Sequence, residues 1–218
     1  MHEYTLITGA TSGIGLASAR ALCSAKRLIL VGRSEGKLAE LRSEFGGDHL
    51  FFCCDLADIE SVAANLTGFL QAHAAVVDKL IHSAGIDQSL PVKSLQAAQA
   101  DGLMRANFYS VVEILRVLLR RSVNHSALTK ILFVSSISAI RGFKAKGAYS
   151  ASKAALDGYM RVLAKELAPS ITVNSILPGA VPTPMSQAGF EDPELVKHFE
   201  EVYPLGVGTV QQVVDAVL

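Results

Sequence analysis

The chain lacks an excess of charge of either sign: 20 lysines and arginines balance 20 aspartates and glutamates over 218 residues. That balance argues against a nucleic-acid or membrane-surface protein, whose anionic partners call for a basic surplus. No apolar run reaches the roughly 18 residues that a spanning helix needs. The opening MHEYTLITGA has no basic segment ahead of a long apolar one, so it does not read as a secretory signal. Cysteine is scarce: Cys23, Cys53 and Cys54 make an odd set without metal-ligand spacing. Cys53 and Cys54 are neighbours in an expected strand and should point to opposite faces, as small residues of a reducing, cytoplasmic compartment. The histidines His2, His49, His73, His82, His125 and His198 are scattered, and no pair has ligand spacing on a helix. No metal site is expected.

Apolar residues, by contrast, make up half the chain, enough for a substantial core in one domain spanning residues 1–218. Six short runs, YTLIT, RLILV, HLFFCC, KLIHS, KILFV and ITVNSIL, are rich in β-branched and aromatic residues. Helical stretches lie between them, including a long one, SLQAAQADGLMRANFYSVVEILRVLLRR. The strands read as nearly continuous apolar runs, which fits a sheet buried on both faces. Six such βα repeats predict an α/β fold, a doubly wound parallel sheet of the Rossmann type in three αβα layers.

The first strand runs into TGATSGIG, residues 8–15. In such a sheet this turn meets the N-terminus of the first helix, where free N–H groups and the helix dipole attract an anion. Gly9 permits a tight turn, Gly13 lets a pyrophosphate approach the backbone, and Gly15 lets the helix pack close to the sheet. Thr11 and Ser12 offer hydroxyls. The stretch predicts dinucleotide binding.

The Gly-x-x-x-Gly-x-Gly spacing resembles the short-chain dehydrogenase/reductase family, and further motifs follow in the family's order. HSAG at 82–85 stands where the family has NNAG. Asn107 lies in the long helix, Ser136 follows ILFVS, YSASK supplies Tyr149 and Lys153, and LPGAVPT ends at Thr183. The 13-residue step from Ser136 to Tyr149 matches the family and favours Ser136 over Ser135.

The resemblance implies an oxidoreductase that interconverts a carbonyl and a secondary alcohol. Tyr149 and Lys153, four apart on a helix, share one face about 6 Å apart along the axis. The Lys153 ammonium and the positive nicotinamide ring are both expected to lower the Tyr149 pKa from about 10, making the phenol a usable acid–base. Ser136 would hydrogen-bond the substrate oxygen, Lys153 would also bind the nicotinamide ribose, and Asn107 would support a proton relay through water. Cofactor contacts are implied for Gly9, Thr11, Ser12, Gly13, Ile14 and Gly15 in the first turn, and for Ser83, Ala84 and Gly85 after strand four. Tyr149, Lys153, Pro178, Val181 and Thr183 would complete the nicotinamide end.

At the adenosine end Gly32 stands where NAD-preferring members carry aspartate, and Arg33 and Ser34 follow. Arginine suits a 2′-phosphate, so NADP(H) is expected over NAD. Asp55 and Leu56 would approach the adenine; alternatively Asp55 caps the following helix. His82 reads as a buried, hydrogen-bonded residue and not a catalyst. Residues 184–204 would form a lid, and Arg141, Lys144 and Lys146 read as solvated loop charges more than as an anion site. The final YPLGVGTVQQVVDAVL reads as ending within a helix, so the family's seventh strand is expected to be missing. A homodimer through the long helices around Asn107 and Tyr149 is expected, with a 3-oxoacyl thioester as the first substrate class to try. The alternatives are an NAD-dependent alcohol, sugar or steroid dehydrogenase, and a nucleotide sensor without turnover.

Overall fold

The computed structural model describes the backbone of residues 1–218 and every side chain except that of Glu200. The six apolar runs form β1 (His2–Thr8), β2 (Leu28–Gly32), β3 (Leu50–Cys53), β4 (Ala75–His82), β5 (Lys130–Val134) and β6 (Thr172–Ile176). All neighbouring pairs are parallel, in the order β3-β2-β1-β4-β5-β6. The fold is the expected doubly wound, Rossmann-like sheet.

The continuous apolar reading has a direct cause in the packing. Leu6 of β1 faces one cluster with Ile29, Val77 and Phe133, while its neighbour Ile7 faces a second with Leu28, Leu30 and Leu38. Helices cover both faces, so residues 4–8 of β1 and all of β2 are buried. Each such buried aliphatic side chain contributes roughly 1.5–3 kcal/mol. Cys53 is exposed and Cys54 buried, the opposite facing expected of strand neighbours.

Helices α1 (Gly13–Leu22), α2 (Glu35–Phe45) and α3 (Ile59–Ala72) connect the first four strands. The long helical stretch after β4 is not one helix. It divides into α4 (Ala97–Met104), a π turn at Arg105–Tyr109, α5 (Ser110–Leu118) and α6 (Arg121–Asn124). The side chain of Asn107, completely buried in that turn, is held by bonds to a neighbouring loop and helix, and the ladder widens so that Ser110 N–H reaches Arg105 C=O.

The remaining helices are α7 (Gly147–Glu166), α8 (Gln187–Phe190), α9 (Pro193–Val202) and α10 (Val210–Val217). Val213 and Val214 of α10 are buried, and the helix packs on α1. As expected, the residues after α9 form this helix and no seventh strand, so β6 lies at the sheet edge.

Two facts place the site. From β1 the chain winds outward to β3 and then returns to β4 on the other side of β1, so a crevice opens between the carboxyl ends of β1 and β4. At that end Thr8 pairs with His82.

Candidate active site

Thr8 ties the two lips of the crevice together. Its hydroxyl oxygen accepts the N–H groups of Ser83 at 3.1 Å and Ala84 at 3.0 Å, and lies 2.9 Å from His82 Nδ1. The single hydroxyl proton therefore goes to Nδ1, which leaves the imidazole proton on Nε2. His82 is fully buried, and burial, reinforced by the Lys153 charge, pushes its pKa down to about 3. It is a neutral structural residue, as expected.

The turn after β1 is built for close approach. Gly9 has φ +66°, and a Cβ there would sit 2.9 Å from the Ala84 Cα. A Cβ on Gly15 would lie 2.3 Å from the Gly9 carbonyl oxygen, so Gly15 lets α1 close onto its own turn. Ser12 precedes α1 without a side-chain cap bond and is exposed, leaving its hydroxyl and the first helical N–H groups available to an anion.

The crevice deepens into a cavity of about 990 Å³. It brings together Gly9, Ser12, Gly13, Ile14, Ser83, Ala84 and Gly85 with Ser136, Tyr149, Lys153, Pro178, Val181 and Thr183. Thr183 faces Gly13 across it, its N–H and hydroxyl engaged by Ser186 Oγ at 3.0 Å. The segment 184–204, expected to act as a lid, contains α8 and α9 and adds Phe190, His198, Phe199 and Tyr203 to the wall. Tyr203 pins this segment, because its hydroxyl accepts the Ala180 N–H at 3.1 Å and its ring fills the space beside Gly179.

Ser136 follows β5, where its hydroxyl accepts the Ser138 N–H at 3.1 Å and acts on the Tyr149 phenol to lower its pKa. Lys153 is buried and donates to the Val134 carbonyl at 2.9 Å, with Nζ 6.0 Å from the centre of the Tyr149 ring. Burial holds the Lys153 pKa down at about 8, against the raising effect of Asp157 and Asp87.

Here one expectation is corrected. Among protein groups alone, burial raises the Tyr149 pKa; the Ser136 bond works against burial and the Asp87 charge adds to it. Lys153 is not among the groups that lower it.

Asn107 is outside the cavity wall but braces it. Its Oδ1 accepts the Ile86 N–H at 2.7 Å, and its Nδ2 donates to Ile86 C=O and to Ser152 Oγ, both at 2.9 Å. A Cβ on Gly85 would come within 3.1 Å of that Oδ1.

The adenosine-side residues lie beyond the cavity. A Cβ at Gly32 would meet Thr11 Cγ2 at 2.5 Å, so Thr11 packs on the end of β2. Arg33 is exposed and forms no ion pair among the described residues. Ser34 caps α2 by accepting the Lys37 N–H. Asp55 does not cap α3: that place belongs to Asp58, and Asp55 Oδ1 closes the preceding turn by accepting the Ala57 N–H at 3.0 Å. Leu56 packs partly into the core.

Sequence reasoning missed Asp87 and misread Lys146. Lys146 is not a solvated loop charge: it pairs with Asp87 at 2.5 Å, and both line the cavity beside Tyr149. Lys144 lines it too but is exposed, and Arg141 is exposed. Among the described residues no cluster could hold a metal ion, and no helix is long and apolar enough to cross a membrane.

A family model described as short chain dehydrogenase matches residues 3–194. The L-xylulose reductase of Bos taurus is 33% identical over 98% of this chain and 86% of its own length. A protein of Sus scrofa named carbonyl reductase (NADPH) 2 is 31% identical, with the same coverage. Among solved structures, a 4-hydroxyisoleucine dehydrogenase complexed with NADH superposes with a TM-score of 0.91 at 25% identity, over 99% of this chain and 89% of the other.

Proposed function

Because the chain belongs to the short-chain dehydrogenase family, whose oxidoreductases interconvert carbonyls and alcohols with a nicotinamide dinucleotide, we propose that it is an NADP(H)-dependent carbonyl reductase with Tyr149 as its acid–base. The convergence of Ser136, Tyr149 and Lys153 on the cavity bordered by the Gly9–Gly15 turn carries this reading.

The chain fits the cofactor at both ends. A Cβ at Gly9 or Gly15 would close the cradle in which a pyrophosphate meets the α1 N-terminus. At the other end Arg33 is free to pair with a 2′-phosphate, and Gly32 beside it carries no acidic side chain to repel one. Bound NADPH supplies hydride to the carbonyl carbon.

The protein's own groups handle the proton. Burial keeps the Tyr149 phenol protonated at neutral pH, so it enters the reductive direction as a ready donor. Ser136, fixed by the Ser138 N–H, holds the carbonyl oxygen next to that phenol and stabilises the charge that grows on it. Once the proton has left Tyr149, the burial that raises its pKa favours reprotonation of the phenolate. Asn107 keeps the Ile86 backbone in place at the cavity lip.

The test is a fluorescence titration of the chain with NADPH and, in parallel, NADH. NADPH should bind more tightly, and Arg33→Ala should weaken NADPH by about 10- to 100-fold, the worth of one or two charge-assisted bonds, with little change for NADH. Equal losses for both cofactors would remove the phosphate role from Arg33 and favour the NAD-dependent alternative.

A further inference from the structure

The cavity holds a second polar element that the proton chemistry does not use. Asp87 comes from the loop after β4 and Lys146 from the turn before α7. The two segments are pinned by a Leu90 N–H to Ala145 C=O bond of 2.8 Å as well as by the Asp87–Lys146 ion pair. Lys146 Nζ lies 5.8 Å from the centre of the Tyr149 ring. Both side chains are largely withdrawn from solvent, 17% exposed for Asp87 and 26% for Lys146.

Neither partner is satisfied by the other. A carboxylate offers about four acceptor sites and an ammonium three donors, and the pair engages one of each. Asp87 Oδ1 is buried with no hydrogen-bond partner at all. The charges cancel, so the pair has no net attraction for an anion. A hydroxyl group fits it best, because the same oxygen can donate to Asp87 and accept from Lys146. Lys146 lies beside the Tyr149 ring, so a hydroxyl bound by the pair falls close to a carbonyl held at that phenol.

We infer that Asp87 and Lys146 are specificity-determining residues that select carbonyl substrates carrying a hydroxyl group beside the carbonyl. The inference rests on the proposed reading that Ser136 and Tyr149 take the carbonyl oxygen.

Three matched substrates test it: butanone, its hydroxylated counterpart acetoin, and α-ketobutyrate, each assayed with NADPH. The ratio of kcat/KM for acetoin over butanone should be about tenfold or more in the wild type, as one hydrogen bond to a charged group requires. Asp87→Ala and Lys146→Met should each bring that ratio close to one, and the ratio cancels any effect on Tyr149 common to both substrates. NADPH titration of each variant checks that it is folded. A wild-type ratio near one, a ratio retained in both variants, or a preference for α-ketobutyrate overturns the inference. If butanone is still reduced in a Tyr149-dependent manner, the reductase reading survives that result. No turnover of any of the three removes both.

Discussion

The side chain of Asn107 pairs with the backbone of Ile86 on both edges, accepting its N–H at 2.7 Å and donating to its C=O at 2.9 Å. An amide side chain thus takes the place of a neighbouring strand, and the loop that carries Ser83 to Asp87 is fixed to the π turn between α4 and α5. The Asn107 side chain is fully buried, and its loss takes both of these partners from the Ile86 backbone.

Asn107→Leu should therefore destabilise the chain by about 2–4 kcal/mol, from two stranded backbone groups at about 1–3 kcal/mol each. Urea denaturation measures it. A loss below about 0.5 kcal/mol would mean that water or a shifted loop replaces the amide.

Ser136→Ala removes the bond that opposes the raising of the Tyr149 pKa by burial. Alcohol oxidation needs the phenolate, so its kcat/KM rises with pH as Tyr149 ionises. The rise should move to higher pH in the variant, and the maximal rate should fall by about 100- to 1000-fold, as for loss of an oxyanion donor. A lower rate with an unmoved pH profile would show that Ser136 holds only the substrate.

His82 makes stability depend on acid. Its folded pKa of about 3 is set first by burial and then by the Lys153 charge, and lies far below the roughly 6.5 of an unfolded chain. The unfolded state binds the extra proton between these values. The contribution is present in full above about pH 6.5 and is lost as pH falls from there toward 3. Between pH 7 and pH 5 this one residue should cost about 2 kcal/mol. His82→Gln should shrink the difference between urea midpoints at the two pH values; an equal drop in variant and wild type would assign the acid sensitivity elsewhere.

The parts of the site written in local sequence were legible in it. The Gly9–Gly15 turn, the Tyr149–Lys153 helical pair and the apolar strands each depend on residues a few positions apart. So did the opposite facing of Cys53 and Cys54. What escaped was set by packing across the chain. Lys146 looks solvated in its own loop, and only the fold brings Asp87, 59 residues earlier, to meet it. The helix through Asn107 reads as unbroken because apolar periodicity does not register a buried amide committed to a loop 21 residues away. The Tyr149 shift was misjudged because spacing places Lys153 nearby without revealing how far the phenol is buried.

The most direct test of the account is NADPH consumption in the presence of a small hydroxyketone by the wild type and by Tyr149→Phe, alongside NADPH titration of both. The wild type should turn over, and the variant should lose about 100- to 10,000-fold in kcat, the worth of a general acid, with NADPH affinity changed by less than about twofold. Absence of wild-type turnover, or a Tyr149→Phe rate within about tenfold of it, would contradict the assignment of Tyr149 as the proton donor of a reductase.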